Sequence, residues 1–365
     1  MDPTVKETNM ALYPSEIQLT LVPRERFDVI NVAETIREKF GDLSASYRKT
    51  LYCSLHTTAG YLDQTICSRL RNSKMHLEPF FRAFQKLFPP DAGYYHDQMQ
   101  LRTELSEAQR LCEPQNADSH LTFIGAGLKN CVTYTNRPGM PVYFIELDGT
   151  YQDVRRQRKT TVLAYNDEEV AHTARLAIPV SHHPIDSINL KDPRYGFFEQ
   201  LQSLLEKHDI AKGRVDIALP RKEMHAGLTV NEFENLLIQK DLAEVLKDPL
   251  RYVARKGRSF FSEPLLIPEK VKYYATTDLV HIFNELMDAL QVGRSVIEKI
   301  VSRVLSVPAS RFLGMKRNIS LLVSNGEENG NGRLVQGTYQ SPILVQWRKA
   351  PERTRYLDVT ITRFK

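Results

Sequence analysis

At 365 residues, 42% of them hydrophobic and 25% charged, the chain is long enough for two ordinary globular domains. It has no apolar run approaching the roughly 18 residues of a membrane span, so no membrane partner is expected, and its four cysteines (Cys53, Cys67, Cys112 and Cys131) form no CxxC pair, which argues against a zinc clip or a disulfide-rich secreted scaffold. The net charge of +5, with basic clusters at 155–159 and 255–258, suits an anionic ligand or a solvated basic surface; nucleic-acid binding would need both clusters on one face and is not expected.

The first ten residues, MDPTVKETNM, carry acids where a signal peptide has a basic region, so a cytoplasmic protein is expected. Residues 1–16 read as an irregular lead-in and 17–22 (IQLTLV) as a strand. A short helix over 32–40 is closed by Gly41. Residues 51–60 (LYCSLHTTAG) read as a buried strand that delivers His56 to an edge or pocket, with Thr57 and Thr58 next to it. A helical stretch over 62–86 is stopped by Pro89-Pro90, and 97–111 read as a helix or a mobile insert. The segments 120–124, 130–135, 141–147 and 160–165 are strand-like and mostly separated by glycine-bearing loops, which predicts antiparallel sheet.

After Asn166 the pattern restarts. PIDSINL at 184–190 echoes FDVINV at 27–32, and MHAGLTVNE at 224–232 stands where HTTAGY stood, with the histidines 169 residues apart. PILVQW at 342–347 parallels PVYFIEL at 141–147, and DVTITRF at 358–364 parallels TTVLAYN at 160–166. The wider spacing of the later strands places an insertion near 250–312. Repeats of this length are whole domains and not solenoid units. The expected architecture is therefore α+β: two fused copies, 1–175 and 176–365, of a domain of antiparallel strands and helices.

His56, His96 and His120 each sit beside residues that make poor core filler, and three converging imidazoles can ligate a divalent metal, move a proton, or hold phosphate oxygens. Thr57 and Thr58 offer hydroxyl and backbone groups to an anion, and Asn116 either orients a ligand or caps a turn. Glu146, inside an apolar strand, needs a partner. A hydrogen-bonded structural role is the commoner explanation of any one of these histidines, and no two of them sit at a short metal-motif interval. His182-His183 reads as a strand pair whose side chains point apart. In the second copy the segment matching NADSHLTFIG is MKRNISLLVS at 315–324, which lacks the histidine. That copy instead carries Gly337, Thr338, Tyr339 and Gln340 in a turn that either brings N–H groups to a phosphate or simply closes a hairpin.

HTTAG, His96, NADSHL with IGAG, and PVYFIELDG resemble the YjbQ family of small proteins, as do HAGLTVNE and GRLVQGTYQSPILVQW in the second half. The resemblance implies a small domain with helices on a β-sandwich-like core, usually assembled as a trimer, and in some members a thiamine-phosphate-synthase-like activity. It implies that His56, His96 and His120, with Asn116 and Glu146, form the ligand or metal site, and that Gln346 replaces Glu146 in a diverged second copy. Neither copy holds the whole pattern, which fits equally one composite site across the copies, a protein that has moved to a new substrate, or a helper subunit that has lost catalysis. The leading functional expectation is an enzyme acting on a phosphorylated or otherwise anionic small molecule, by synthase-type or hydrolytic chemistry. It would use His56, His96, His120 and Glu146, hold a divalent ion (zinc or magnesium) on the three histidines, and bind ligand through Thr57, Thr58, Asn116, Gly337, Thr338 and Gln340. Dimers or trimers of the chain are both compatible with the doubling. The alternative is a non-catalytic binding or assembly protein of the same fold.

Overall fold

The computed structural model describes residues 13–247 and 315–365, apart from Asp153 and 327–329. In chain order the first half runs β1 (Ser15–Leu21), β2 (Asp28–Asn31), α1 (Val32–Phe40), α2 (Leu43–Ser46), β3 (Lys49–Ser54), β4 (Ala59–Gly60), α3 (Gln64–Arg69), α4 (Lys74–Leu87), α5 (Glu107–Cys112), α6 (Ala117–Gly125), β5 (Cys131–Thr135), β6 (Tyr143–Glu146), the hairpin β7 (Thr150–Tyr151) and β8 (Val154–Arg155), and β9 (Arg158–Tyr165). The second half runs β10 (Glu168–Pro179), β11 (Asp186–Asn189), α7 (Phe197–Lys207), β12 (Gly213–Ala218), β13 (Ala226–Asn231), α8 (Leu242–Lys247), β14 (Asn318–Ser324), β15 (Arg333–Val335), β16 (Ser341–Gln346) and β17 (Thr354–Phe364). The chain is α+β, built on antiparallel sheets.

The halves share a strand order. The first forms a β1-β9-β3-β5 sheet and a β2-β6-β4 sheet; the second forms β10-β17-β12-β14-β15 and β11-β16-β13. Register makes the correspondence residue by residue. Glu146 lies opposite Asp28 on one side and Ala59 on the other, as Gln346 lies between Asp186 and Ala226. Ala59 therefore matches Ala226, and counting back three residues matches His56 with Glu223. The expected pairing of His56 with His225 is off by two residues, and His225 takes the place of Thr58. It faces Arg348 across 3.2 Å.

Two further expectations change. Residues 120–124 lie in α6, not in a strand, and every residue of that helix is buried. A five-residue apolar run does not discriminate a strand from a buried helix. Here Asp97 accepts the first helical N–H, that of Ala117, at 3.0 Å, and Gly127 in a left-handed conformation (φ 74) follows the last turn. The segment 315–324 contains β14, which stands in the sheet where β5 stands, so it is no match for α6. The corresponding place in the second half, and the expected insertion near 250–312, lie outside the described residues. His182 and His183 follow the end of β10 with ring centroids 4.2 Å apart.

The β1-β9-β3-β5 sheet has two covered faces. Tyr52 points into the main core beneath the helices, whereas Leu51 and Cys53 point the other way and meet Leu322 and Phe364 of the second half. The Tyr165 and Phe364 rings stack there at 3.7 Å. This alternation along β3 is the period-two pattern of a strand buried on both sides. The second half also feeds the main core with Leu237, Ile238, Leu242, Val245, Ile343 and Val345. The junction between halves is thus apolar over much of its area, and the polar residues buried in it stand out.

Candidate functional site at the junction of the halves

His96 and His120 meet edge to face with ring centroids 5.3 Å apart. His120 is carried by α6, one helical turn beyond Asn116, so both side chains lie on one face. His96 is positioned by the second half: Asp241 accepts the backbone N–H of Tyr95 at 3.0 Å and of His96 at 2.9 Å. Both rings are fully buried.

The hydrogen bonds fix the protons. Asn231 donates through Nδ2 to the Thr57 carbonyl at 3.2 Å, so its Oδ1 is the atom that faces His120 Nδ1 at 2.7 Å. His120 therefore carries its proton on Nδ1, and its Nε2 presents a lone pair with no hydrogen-bond partner among the described residues. Glu232 Oε2 lies 3.6 Å from Nε2. Burial, with the neighbouring His96 charge, holds this imidazole well below its ordinary value. It is the neutral ring.

His96 is the opposite case. Its Nδ1 faces Glu234 Oε2 at 2.8 Å and its Nε2 faces Asn116 Oδ1 at 3.2 Å, while Asn116 Nδ2 donates to Asp148 at 2.8 Å and so fixes the amide. Both nitrogens confront acceptors, which describes an imidazolium. Burial works against its charge, but Glu234 and Glu232 outweigh it, and the net shift is upward. Glu234 is held as the anion by His96 and by the N–H groups of Leu236 and Leu237, each at 2.7 Å. Glu232 is pushed up by burial, against the pull of His96 and Arg102, and is held only by 3.6 Å approaches to His120 and Arg102.

His56 joins a different set. Its Nε2 accepts the Lys159 N–H at 2.7 Å and its Nδ1 faces Arg158 at 3.5 Å. Burial, with Arg158, Arg156 and Lys159, lowers it to about 3. Arg158 in turn grips Glu146 through Nε at 2.5 Å and Nη2 at 2.8 Å, and donates to the Asp148 carbonyl at 2.7 Å and to Thr58 at 3.4 Å. Glu146 thus has the partner that its apolar setting demands, and the RRQRK cluster is partly spent inside the protein, since Arg156 also pairs with Asp148 at 2.9 Å. The basic cluster at 255–258 lies outside the described residues.

A divalent ion does not fit the three histidines as they stand. Both His96 nitrogens are engaged, His56 is turned to Lys159, and only His120 Nε2 offers a free lone pair. Among the described residues no group of three or more His, Cys, Asp or Glu side chains is arranged to hold a metal. The 337–340 turn is a latch and not an open cradle. Gln340 accepts the Gly337 N–H at 2.9 Å and donates to the carbonyls of Ser54 at 2.9 Å and His56 at 2.8 Å, while Thr338 and Tyr339 are exposed. A Cβ on Gly337 would stand 1.9 Å from the Leu55 carbonyl oxygen. Gly337→Ala is therefore expected to lift the latch and cost about 1–3 kcal/mol, read as a lower urea midpoint at unchanged slope.

Sequence reasoning singled out His96, His120 and Asn116, and did not place Asn231, Glu232, Glu234, Asp241, Arg102 or Asp148 in the site. The available signal was NEFE at 231–234, acids directly after a fully buried strand. A pattern search centred on histidines passes over it.

No family model matches the chain, and no curated protein matches it. Solved structures do. A YbjQ-like protein of unknown function from Sulfolobus solfataricus P2 aligns at 17% identity and a TM-score of 0.28, covering 54% of this chain and 99% of its own. A hypothetical protein from Aeropyrum pernix K1 aligns at 14% identity and a TM-score of 0.29 over 52% of this chain and 97% of its own. An uncharacterised conserved protein of the YjbQ family from Clostridium acetobutylicum aligns at 14% and 0.27 over 52% and 98%. Each alignment takes in nearly all of the other protein and about half of this one.

Proposed function

We propose that the chain is a tandem pair of YjbQ-like units whose junction forms an acid–base centre for a small anionic molecule. The shared strand order and the Glu146/Gln346 register support the duplication. One observation carries the chemistry: the lone pair of His120 Nε2, buried without a hydrogen-bond partner among the described residues, faces Glu232 across 3.6 Å. The neighbourhood pushes this pair in opposite senses, the histidine towards the neutral base and the carboxyl towards the protonated acid, which is the arrangement that assigns a proton acceptor and a proton donor. Asn231 fixes the tautomer of the base. His96 and Arg102 supply positive charge beside it, the electrostatic complement of an anion. Their shared role is binding and charge stabilisation, and His120 and Glu232 move the proton.

The test is turnover of p-nitrophenyl phosphate and inorganic pyrophosphate by the wild type, His120→Ala and Glu232→Gln. His120→Ala is expected to lower the rate by about 10²–10⁴-fold with an unchanged circular dichroism spectrum. Equal rates in all three proteins, or no turnover and no binding by the wild type, would overturn the reading.

A second reading rests on the complete burial of both imidazoles and on ion pairs that bridge the halves, such as His96 to Glu234. In it the cluster is an assembly device. Glu234→Ala would then weaken cohesion of the halves, seen as two unfolding transitions, with no substrate turned over by any variant.

A further inference from the structure

A cleft of about 380 Å³ opens beside the buried centre, with Arg26, Arg110, Asp91 and Glu113 among its walls and Tyr151, Met99 and Pro90 as its apolar surface. Both sides of this cleft are wired to the histidines. On one side Arg26 donates to Asp118 at 2.8 Å and approaches Asp148 at 3.8 Å, the carboxylate that orients Asn116 against His96. On the other, Glu113 accepts from Arg102 at 3.2 Å, and Arg102 reaches Glu232 beside His120. The cleft is therefore the open end of the same polar network.

The lining sets the ligand. Arg26 Nη1 and both terminal nitrogens of Arg110 make no hydrogen bond among the described residues, whereas Arg110 Nε is fixed to the Arg102 carbonyl at 3.2 Å. Two guanidinium groups with donors to spare suit one carboxylate or phosphate. Tyr151 is held by its hydroxyl on the Glu113 carbonyl at 3.1 Å and has Arg156 over its ring. An aromatic ring, a thioether and a proline side chain together suit a flat apolar body, and the volume falls within the usual range of small-ligand sites.

We infer that this cleft binds a small molecule with an aromatic ring and one anionic group, the anion on Arg26 and Arg110 and the ring against Tyr151 and Met99. The inference rests on the acid–base reading in making the cleft the mouth of that centre. Its test, however, reads binding without turnover.

Calorimetric titration of the full chain with phenyl phosphate, benzoate and inorganic phosphate separates the contributions. Phenyl phosphate is expected to bind at least tenfold more tightly than inorganic phosphate. Arg110→Gln should weaken both phosphates about tenfold. Tyr151→Ala should weaken phenyl phosphate and benzoate about tenfold and leave inorganic phosphate unchanged. No binding of either ring-bearing anion at 10 mM, or binding indifferent to both Arg110→Gln and Tyr151→Ala, overturns the cleft. Binding that follows these variants, in a protein whose turnover ignores His120, keeps the cleft and removes the acid–base reading.

Discussion

Replacing Glu146 by alanine is expected to remove about 3–5 kcal/mol of folding stability, the cost of stranding a buried charge, and replacing it by glutamine to cost less than half of that. Arg158 is the charge left behind. It is buried, and both its Nε and Nη2 donate to the Glu146 carboxylate. The molecule contains its own control in the second half. Arg355 is equally buried and donates through Nε to Gln346 Oε1 at 2.9 Å, through Nη2 to the Arg348 carbonyl at 2.5 Å, and through Nη1 to Glu223. Glu223 holds the place of His56, so there the negative charge has moved from the strand to the preceding loop, while the strand retains a neutral acceptor. A glutamine at 146 preserves the acceptor for Nε and loses the charge; an alanine loses both. Urea unfolding of the two variants measures the gap. Equal losses would show that the charge alone, and not the acceptor, holds Arg158.

That correspondence also explains how much was legible in the sequence. The repeated pattern was visible because strands buried along their length keep their apolar character wherever they stand, as in 141–147 and 342–347. The register was not, because HTTAG and MHAG share a histidine that draws the eye two residues from the match that Ala59 and Ala226 enforce. The α6 helix was hidden for a related reason. Its nine residues are all buried, so no polar face marks a 3.6-residue period, and Thr122, Phe123 and Ile124 look like strand. The site itself depends on contacts between residues more than a hundred apart, such as His120 with Asn231 and His96 with Glu234. Composition and spacing name the histidines. Only the docking of the halves decides which of them is charged.

That decision has a measurable consequence in the pH dependence of stability. His56 and His120 are held neutral in the fold, His56 at about 3 and His120 well below its ordinary value. As pH falls below about 6.5, the unfolded chain binds a proton at each and the folded chain does not, so each drains about 1.4 kcal/mol of stability per pH unit. For His56 the loss continues down to about 3. Asp118, pushed up to about 6 by burial, takes its proton in the folded state first and offsets part of this loss. Between pH 6.5 and 4.5, His56→Gln should therefore lose about 2.3 kcal/mol less than the wild type, and His120→Gln should likewise lose less than the wild type. His96 works in the other direction. Its folded value is raised, so its contribution is complete below 6.5 and is lost as pH rises through the folded value. His96→Gln should leave the acid slope as it is and flatten the decline above neutrality. Urea midpoints taken at half-unit steps from pH 4.5 to 8.5 decide it. An acid slope in His120→Gln equal to that of the wild type would mean that the His120 ring is charged in the fold, and with that its lone pair, and the acid–base centre built on it, would be gone.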